Sequence, residues 1–488
     1  MNVKATPDAG DAANQLDPLI WKITAVAVLG AFLAQLDATI ANVSLSNLAT
    51  DLHTGLSTIQ WVTSGYLLAL TLALPMSGWL VDRMGAKAVY LWCFAAFTLS
   101  SALCGLAWSA HSLIAFRVIQ GISGGLMAPM AQMMMARAAG RHMARIVGYS
   151  AVPVLLAPIL GPVAAGLILQ YGSWRWLFLV NLPFGVLALI LAAVFLPADR
   201  EHTRPRQLDW IGLALLSPSL VIFLYGADRI GDHLGQLAVL VSVMLLTLFL
   251  WNARRKGDHA LVDLQLFQGK VFHAAAVTQF LSNGALFAGQ MLIPIYLIQA
   301  CGRSPSEMGW LLAPLGLGML CTYPSMGTLT RRFGIRHVAA GGASLALLST
   351  VPFLYLADHS LNLMVLSTAL FIRGAGQSAV GIPSMSAAYA SVSKKELPMA
   401  STSLNIVQRL GGPTFTTFCA TFLGWSLATQ QAHQLSLTPY AWTFLVLCVL
   451  HAATATAALR LPRSMDEVLA QRSTAADTQC QPAKNISL

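Results

Sequence analysis

Gly78-Trp79-Leu80-Val81-Asp82-Arg83-Met84-Gly85-Ala86-Lys87 has a second copy 249 positions on, Gly327-Thr328-Leu329-Thr330-Arg331-Arg332-Phe333-Gly334-Ile335-Arg336. Aligned on their glycines, both read G-x-x-x-[D/R]-R-Φ-G-x-[K/R], where Φ is apolar. Each copy sits in a short loop behind a long apolar run, so the repeat describes a membrane protein made of two like halves around a central site. The glycines permit a tight turn and close helix approach. Asp82 can complement the positive N-terminus of the next helix while Arg83 and Lys87 stay in water. The plain alternative is a basic loop that only sets topology. The spacing with Asp82 points instead to a gating element built on Gly78, Asp82, Arg83, Gly85 and Lys87. The second copy has Arg331 where the first has Asp82, so that half has lost part of the element.

Outward from these loops, a bilayer core of about 30 Å needs about 20 apolar residues in a helix. That ruler gives fourteen spans, near 23–43, 60–80, 88–108, 112–136, 146–169, 175–196, 209–226, 235–252, 271–299, 308–329, 338–356, 361–390, 400–427 and 440–460. The seventh is the weakest. Loops after even-numbered spans carry 17 Lys and Arg, and loops after odd-numbered spans carry three, Arg175, Arg229 and Arg303. Under the positive-inside rule this puts the even loops and both termini in the cytoplasm, and an error in the count would scramble the alternation. The expected fold class is therefore an all-α polytopic membrane protein. Residues 1–22 are a cytoplasmic tail, 23–196 a six-helix bundle, 197–256 an inserted pair of helices, 257–460 a second six-helix bundle, and 461–488 a second tail. The first span lacks a small-residue cleavage site after it and reads as a retained helix.

Composition supports the same class. Of 488 residues 56% are hydrophobic and 10% charged, with a mean hydropathy of +0.66. A soluble chain carries about 25% charged residues, so too little charge is present to coat a water-facing surface. The net charge of +10 is distributed as a topology signal rather than as a nucleic-acid-binding face, so no nucleic-acid partner is expected. The seven cysteines are scattered, with no CxxC pair, and imply neither a disulfide framework nor a metal site. No GxxxxGK[ST] loop for ATP is present.

Six stretches in order resemble the fourteen-helix drug:proton antiporter branch of the major facilitator superfamily, the EmrB/QacA type. Leu36-Asp37-Ala38-Thr39-Ile40-Ala41-Asn42-Val43 is similar to its LDxTIVNVA signature, and Gly78–Lys87 to the superfamily's cytoplasmic loop motif. Arg117-Val118-Ile119-Gln120-Gly121 resembles RxxQG, and Gly161-Pro162-Val163-Ala164-Ala165-Gly166 resembles GPxxGG with Ala165 in place of a Gly. Trp174–Pro183 resembles WRWIFxINxP, and Asp209-Trp210-Ile211-Gly212 the DxxG that opens the inserted pair. In span thirteen NxxRQLGG becomes Asn405-Ile406-Val407-Gln408-Arg409-Leu410-Gly411-Gly412, which turns the positive charge by about 100° around the helix. The resemblance implies a proton-coupled exporter of drugs or other toxic amphiphiles, working by alternating access in the cell inner membrane. A dedicated exporter of one metabolite or siderophore is the alternative. It also implies closure of the outer side by the Gly161-Pro162 element, whose proline favours a bend. In envelopes with two membranes, a periplasmic adaptor and an outer-membrane channel are implied partners.

Ionisable groups inside a bilayer are costly and point to function. Four fall within the spans: Asp37, Arg117, Arg373 and Arg409, with Asp37 the one acid. At about 1.5 Å per residue, Asp37 lies about 9 Å and Arg117 about 8 Å inside the outer boundary, so helices one and four in contact would pair them. An acid disfavoured by low dielectric and favoured by an arginine is suited to changing protonation as access switches. The expected energy source is therefore the proton motive force, with no cofactor. The alternative is a static pair that fixes packing. A single acid leaves no partner for acid–base catalysis, which speaks against a membrane enzyme. Arg373 and Arg409 fall near the midplane and leave an excess of two positive charges. That suits an anionic, weak-acid or neutral substrate, unless these arginines bond to carbonyls. Gln35, Asn42, Trp61, Tyr66, Gln279, Asn283 and Gln290 complete the candidate cavity groups. The methionines at 127, 130, 133, 134 and 135 fill gaps or adapt to varied substrates.

Overall fold

In a computed structural model, residues 17–197, 207–304, 307–430 and 439–470 are described. Helices account for the architecture, and no strand occurs among the described residues. The long helices are α1 (Pro18–Val43), α2 (Trp61–Ala73, continuing as Ser77–Met84), α3 (Ala86–Gly105), α4 (Ala110–Ala139), α5 (Met143–Tyr171), α6 (Asn181–Phe195), α7 (Trp210–Asp228) and α8 (His233–Lys256). There follow α9 (Lys270–Ile295), α10 (Met308–Thr322, continuing as Met326–Phe333), α11 (Ile335–Asp358), α12 (Leu363–Ala390), α13 (Leu397–Gln430) and α14 (Pro439–Ala458). Among the described residues, eleven segments are long and apolar enough to cross a membrane, one of them, Ala110–Ala157, running through α4 into α5. α10 and α13 stand outside that set. α10 is interrupted, and α13 carries Ser401, Thr402, Ser403, Asn405, Gln408 and Arg409, the composition of a helix facing a polar interior rather than lipid.

The internal repeat is legible in the backbone. α2 breaks into a 3-10 turn at Leu74–Met76 and α10 at Tyr323–Ser325, also 249 positions apart, each with a proline in its middle (Pro75, Pro324). Gly85 and Gly334 end the two helices at φ +83° and +82°, a left-handed backbone that costs a residue with a Cβ about 1–2 kcal/mol. Helix packing repeats too. α2 packs on α4, α1 on α5, α4 and α6, and α3 on α4 and α6; α10 on α12, α9 on α13, α12 and α14, and α11 on α12 and α14 reproduce this eight helices later. α7 and α8 pack on each other, and α7 on α2 and α13, placing the pair beside the junction of the two bundles.

Several sequence expectations are corrected at helix ends. α1 starts at Pro18, with Asp17 capping it by accepting from Leu19 N at 2.8 Å, not at residue 23. Arg83, Arg137, Arg331, Arg332, Arg254 and Arg255 belong to the last turns of helices rather than to loops, where a cation meets the negative end of the dipole. Lys87 is half-buried, and its Nζ donates to the exposed Ala193 carbonyl at the end of α6, at 2.7 Å. α5 is helical without interruption through Gly161-Pro162. Asp209 and Gly212 explain each other. The carboxylate accepts from Gly212 N at 2.9 Å, and a Cβ on Gly212 would lie 2.2 Å from its Oδ2. Asp209 also accepts from Lys256 Nζ at 2.5 Å and Leu261 N at 3.2 Å, tying the start of α7 to the end of α8 and the connection into the second bundle.

The two bundles meet at the end that carries the basic segments. There Ser77 and Thr402 share a hydroxyl hydrogen bond of 2.8 Å, Ser401 Oγ donates to the Pro129 carbonyl at 2.6 Å, and Tyr389 and Asn405 donate to Gln132 Oε1 at 2.8 and 2.9 Å. The bundles are thus closed against each other at the basic end.

Candidate functional site

α4 is held against α2 by absent side chains. A Cβ on Gly121 would lie 2.4 Å from the Tyr66 carbonyl oxygen, and one on Gly125 would lie 2.1 Å from that of Leu70. Small residues four apart let two backbones approach this closely, as membrane helix packing requires. Arg117, one turn before Gly121, is thereby driven into the bundle and is 0% exposed.

Arg117 meets Asp37 of α1, itself 1% exposed, through Nη1 to Oδ2 at 2.5 Å. The guanidinium also donates to Gln120 Oε1 at 2.9 Å and through Nε to the Val62 carbonyl at 3.1 Å. Its carbon lies 4.1 Å from the centre of the Tyr66 ring and 5.6 Å from that of Phe178. The other carboxylate oxygen accepts from Asn181 Nδ2 at 2.8 Å and Gln120 Nε2 at 3.2 Å. Both amides also donate to Ser101 Oγ, at 3.1 and 3.2 Å, and Ser101 donates to the Phe178 carbonyl at 2.9 Å. Five helices converge on one acid: α1, α2, α3, α4 and α6. Arg117 Nη2 and Asn181 Oδ1 are buried without a hydrogen-bond partner.

Chemically, each side-chain partner of Asp37 is a donor. An ionised carboxylate, which only accepts, satisfies all of them. A carboxylic acid would direct an O–H at a guanidinium or an amide NH2, neither of which can accept. Protonation therefore requires one carboxyl oxygen to change partner, because no side-chain group bonded to Asp37 in this arrangement can accept its O–H.

The remaining sequence candidates fall into separate groups. Tyr66 is buried and forms the floor under Arg117 rather than an open wall. It lies within electrostatic reach of Arg409, which is half-buried on α13 of the other bundle. Gln279 donates to the Gly381 carbonyl at 2.6 Å and Ser384 Oγ at 3.0 Å, and accepts from Asn283 at 3.2 Å and Gln408 at 3.1 Å. The exchanged order Gln408-Arg409 thus puts the amide into this network. Arg373 is 2% exposed and donates to Thr350 Oγ1 and the Ala285 carbonyl, both at 3.0 Å, inside the second bundle. Of the two options the sequence left open for it, the carbonyl-bonded one is realised. Gln35 and Asn42 are exposed on α1, seven residues apart and on the side away from Asp37. Trp61 and Gln290 are exposed as well, and none of these four is brought to the Asp37 site.

Around that site, Gly161 sits where a Cβ would lie 2.2 Å from Thr39 Oγ1, so α5 crosses α1 two residues from Asp37. Gly78 is pressed against Met399 and Thr402 of α13, where an added Cβ would lie 2.7 and 2.9 Å away. Asp82 is buried near this contact, and Arg83 lies over the Trp79 ring at 5.6 Å. Three residues of the Asp37 site, Ser101, Gln120 and Asn181, were not among the sequence candidates. Gln120 and Asn181 lie inside motifs that were read, but an uncharged polar residue on an apolar helix does not announce its partner.

The family model described as Major Facilitator Superfamily matches residues 27–416 and 275–478. The chain is 31% identical over 438 residues, 87% of its length and 81% of the relative's, to a multidrug resistance protein B homolog of Mycobacterium tuberculosis. It is 30% identical over 368 residues, covering 73% of this chain and 76% of the relative, to the putative multidrug resistance protein MdtD of Escherichia coli. Among solved structures it shares its fold with the proton:xylose symporter XylE (TM-score 0.61, 15% identity, 92% of this chain and 98% of that one). The human organic anion transporter MFSD10 matches similarly (TM-score 0.60, 20% identity, 89% and 100%). This chain belongs to the Major Facilitator Superfamily: it is a multi-pass membrane transporter of small molecules, and its curated relatives include multidrug resistance proteins.

Proposed function

We propose that this protein is a proton-coupled exporter of drugs or other toxic amphiphilic molecules, working by alternating access in the cytoplasmic (inner) membrane. Its relatives' names supply the substrate class. The observation that carries the coupling is the ring of donors around Asp37. With the basic end closed, Asp37 is the partner of Arg117. A proton arriving from the opposite side removes the charge that holds Arg117, and rotation of the Asn181 amide presents Oδ1, at present unpartnered, to accept the new O–H. The released Arg117 retains the Val62 carbonyl, Gln120 and the Tyr66 face. Because α1, α4 and α6 are each tied to this group, its two protonation states favour different packings of those helices, and substrate outflow can be linked to proton inflow. No cofactor takes part; the proton motive force is the energy source. A periplasmic adaptor and an outer-membrane channel would extend the route in a two-membrane envelope. The test is substrate uptake into everted vesicles under an imposed pH gradient. Uptake that neither requires the gradient nor dissipates it would refute proton exchange.

A further inference from the structure

The two copies of the repeat end in different surroundings. The first loop is sealed, with Gly78 against α13 and Asp82 buried. The second is anchored by Gly327 against Arg145, where an added Cβ would lie 2.5 Å from its Cβ, and by the Gly334 turn against the Arg463 carbonyl at 2.2 Å. Beyond these contacts a cavity of about 780 Å³ remains open, within the range of small-molecule sites, about 300–1,000 Å³. Five arginines line it, Arg141, Arg145, Arg331, Arg332 and Arg463, against one acid, Asp466. They come from three separate parts of the chain: the α4–α5 turn with the start of α5, the end of α10, and the segment after α14. Burial and the nearby charges of Arg141, Arg145 and Arg331 together hold His142, at the cavity wall, below its ordinary value.

A basic membrane loop ordinarily needs no ligand, because topology alone explains its charge. Three features go beyond that reading. The arginines form a concave wall; the position that is acidic in the first copy is Arg331 in the second; and the rim is aromatic. Tyr149, 43% exposed and edge-on to Trp21 at 5.7 Å, and Phe333, 53% exposed, both line the cavity. Aromatic side chains at the rim of a basic pocket suit a ligand whose charge is in the pocket and whose remainder is apolar.

We propose that this cavity is a site for a phosphate-bearing anion, either the headgroup of an anionic phospholipid from the adjoining leaflet or a soluble phosphate. Such a ligand touches α5 of the first bundle and α10 of the second at once, and so stabilises the conformation closed at the basic end. The inference goes beyond the transport reading and does not depend on it, since binding is measured without transport. The purified full-length protein in detergent would be titrated with phosphatidylglycerol, phosphatidylcholine and inorganic phosphate while thermal stability is followed. A saturable upshift with phosphatidylglycerol but neither phosphatidylcholine nor phosphate assigns the headgroup, and one with inorganic phosphate at comparable size assigns the soluble anion. R141Q/R332Q, at two exposed positions, should weaken that binding at least tenfold, and R141K/R332K should retain most of it. K394Q/K395Q removes the same charge from an exposed loop outside the cavity and should bind as the natural protein does. Equal response to all three titrants by the natural protein, or equal loss in R141Q/R332Q and K394Q/K395Q, overturns the proposal. The first of these is decided without any variant.

Discussion

Replacing Asp37 by Asn separates the ion pair's two roles. The amide keeps the size of the carboxyl group and can still accept from Arg117, but it cannot bind or release a proton. Arg117 is 0% exposed, and removing one partner of a buried pair costs about 3–5 kcal/mol because the other charge is left uncompensated. Here Arg117 keeps its bonds to Gln120 and the Val62 carbonyl and its contact with Tyr66. Because of these, and because the amide retains one acceptor, we expect a smaller loss, about 1–3 kcal/mol. The functional effect is far larger. One pH unit is worth about 1.4 kcal/mol per proton, so a two-unit gradient sustains about 100-fold accumulation in a one-for-one, electroneutral exchange. D37N should bring accumulation in everted vesicles down to about onefold while leaving substrate–substrate counterflow measurable, because the helices can still move when no proton is carried. Adding R117M should recover part of the lost thermal stability, since both buried partners are then gone, without restoring accumulation. Accumulation by D37N at the natural level under the same gradient would end the coupling argument.

Other consequences can be checked separately. N181L removes the amide that bonds Asp37 at 2.8 Å and the acceptor proposed for its acid form; gradient-driven uptake should fall about tenfold, with the pH dependence of transport displaced and substrate binding retained. G125A places a methyl group 2.1 Å from the Leu70 carbonyl and should cost at least about 1–3 kcal/mol, seen as a lowered unfolding temperature in detergent. R409Q should reduce uptake of an anionic probe relative to a cationic one of similar size by about tenfold, and an unchanged ratio would remove Arg409 from substrate recognition. Burial raises the proton affinity of Asp209, but hydrogen bonds from Lys256, Gly212 and Leu261 outweigh it and hold the carboxyl below its ordinary value. Its stabilisation is therefore complete above the unfolded value of about 3.9 and fades as pH falls through the lower folded one. D209N should be less stable than the natural protein at neutral pH by about 1–3 kcal/mol, with the gap closing in acid.

Helix positions and the twofold plan were legible because lipid imposes them. Every backbone group must be paired within its own segment, so apolar runs and basic punctuation map almost directly onto helices. The Asp37–Arg117 pair was legible for a related reason: charges in a bilayer are few, and two at one depth have few alternatives. Side chains that carry no charge gave no comparable signal. Helical spacing sets Gln120, three residues from Arg117, on the face of the pair and Gln35, two from Asp37, off it, but the sequence does not say which groups Gln120 bonds. The place of Arg373 depended on knowing that Ala285 offers its carbonyl, and the cavity at Arg331 depends on how three distant segments converge.

The repeat also explains why the proposed proton chemistry falls to a single bundle. Tyr66 and Leu315 are 249 positions apart, and each offers its carbonyl oxygen to a glycine of the packed helix, Gly121 and Gly374, where a Cβ would lie at 2.4 and 2.0 Å. One residue before each glycine, Gln120 donates to Ser101 at 3.2 Å and Arg373 to Thr350 at 3.0 Å, and Ser101 and Thr350 are again 249 apart. The two bundles thus contain the same polar contact in different chemistry. In the first, the residue beyond Gln120 is Asp37; in the second, Arg373 reaches the backbone of Ala285 and finds no acid there. A guanidinium bound to a carbonyl and a hydroxyl has no proton to exchange at physiological pH, so the second copy can support packing but not coupling. Installing an acid at Ala285 should not restore transport to D37N, because the ring of donors formed by Arg117, Gln120 and Asn181 is absent there. Recovery of gradient-driven uptake in the D37N/A285D protein would show that any buried acid suffices and that the donor ring is incidental.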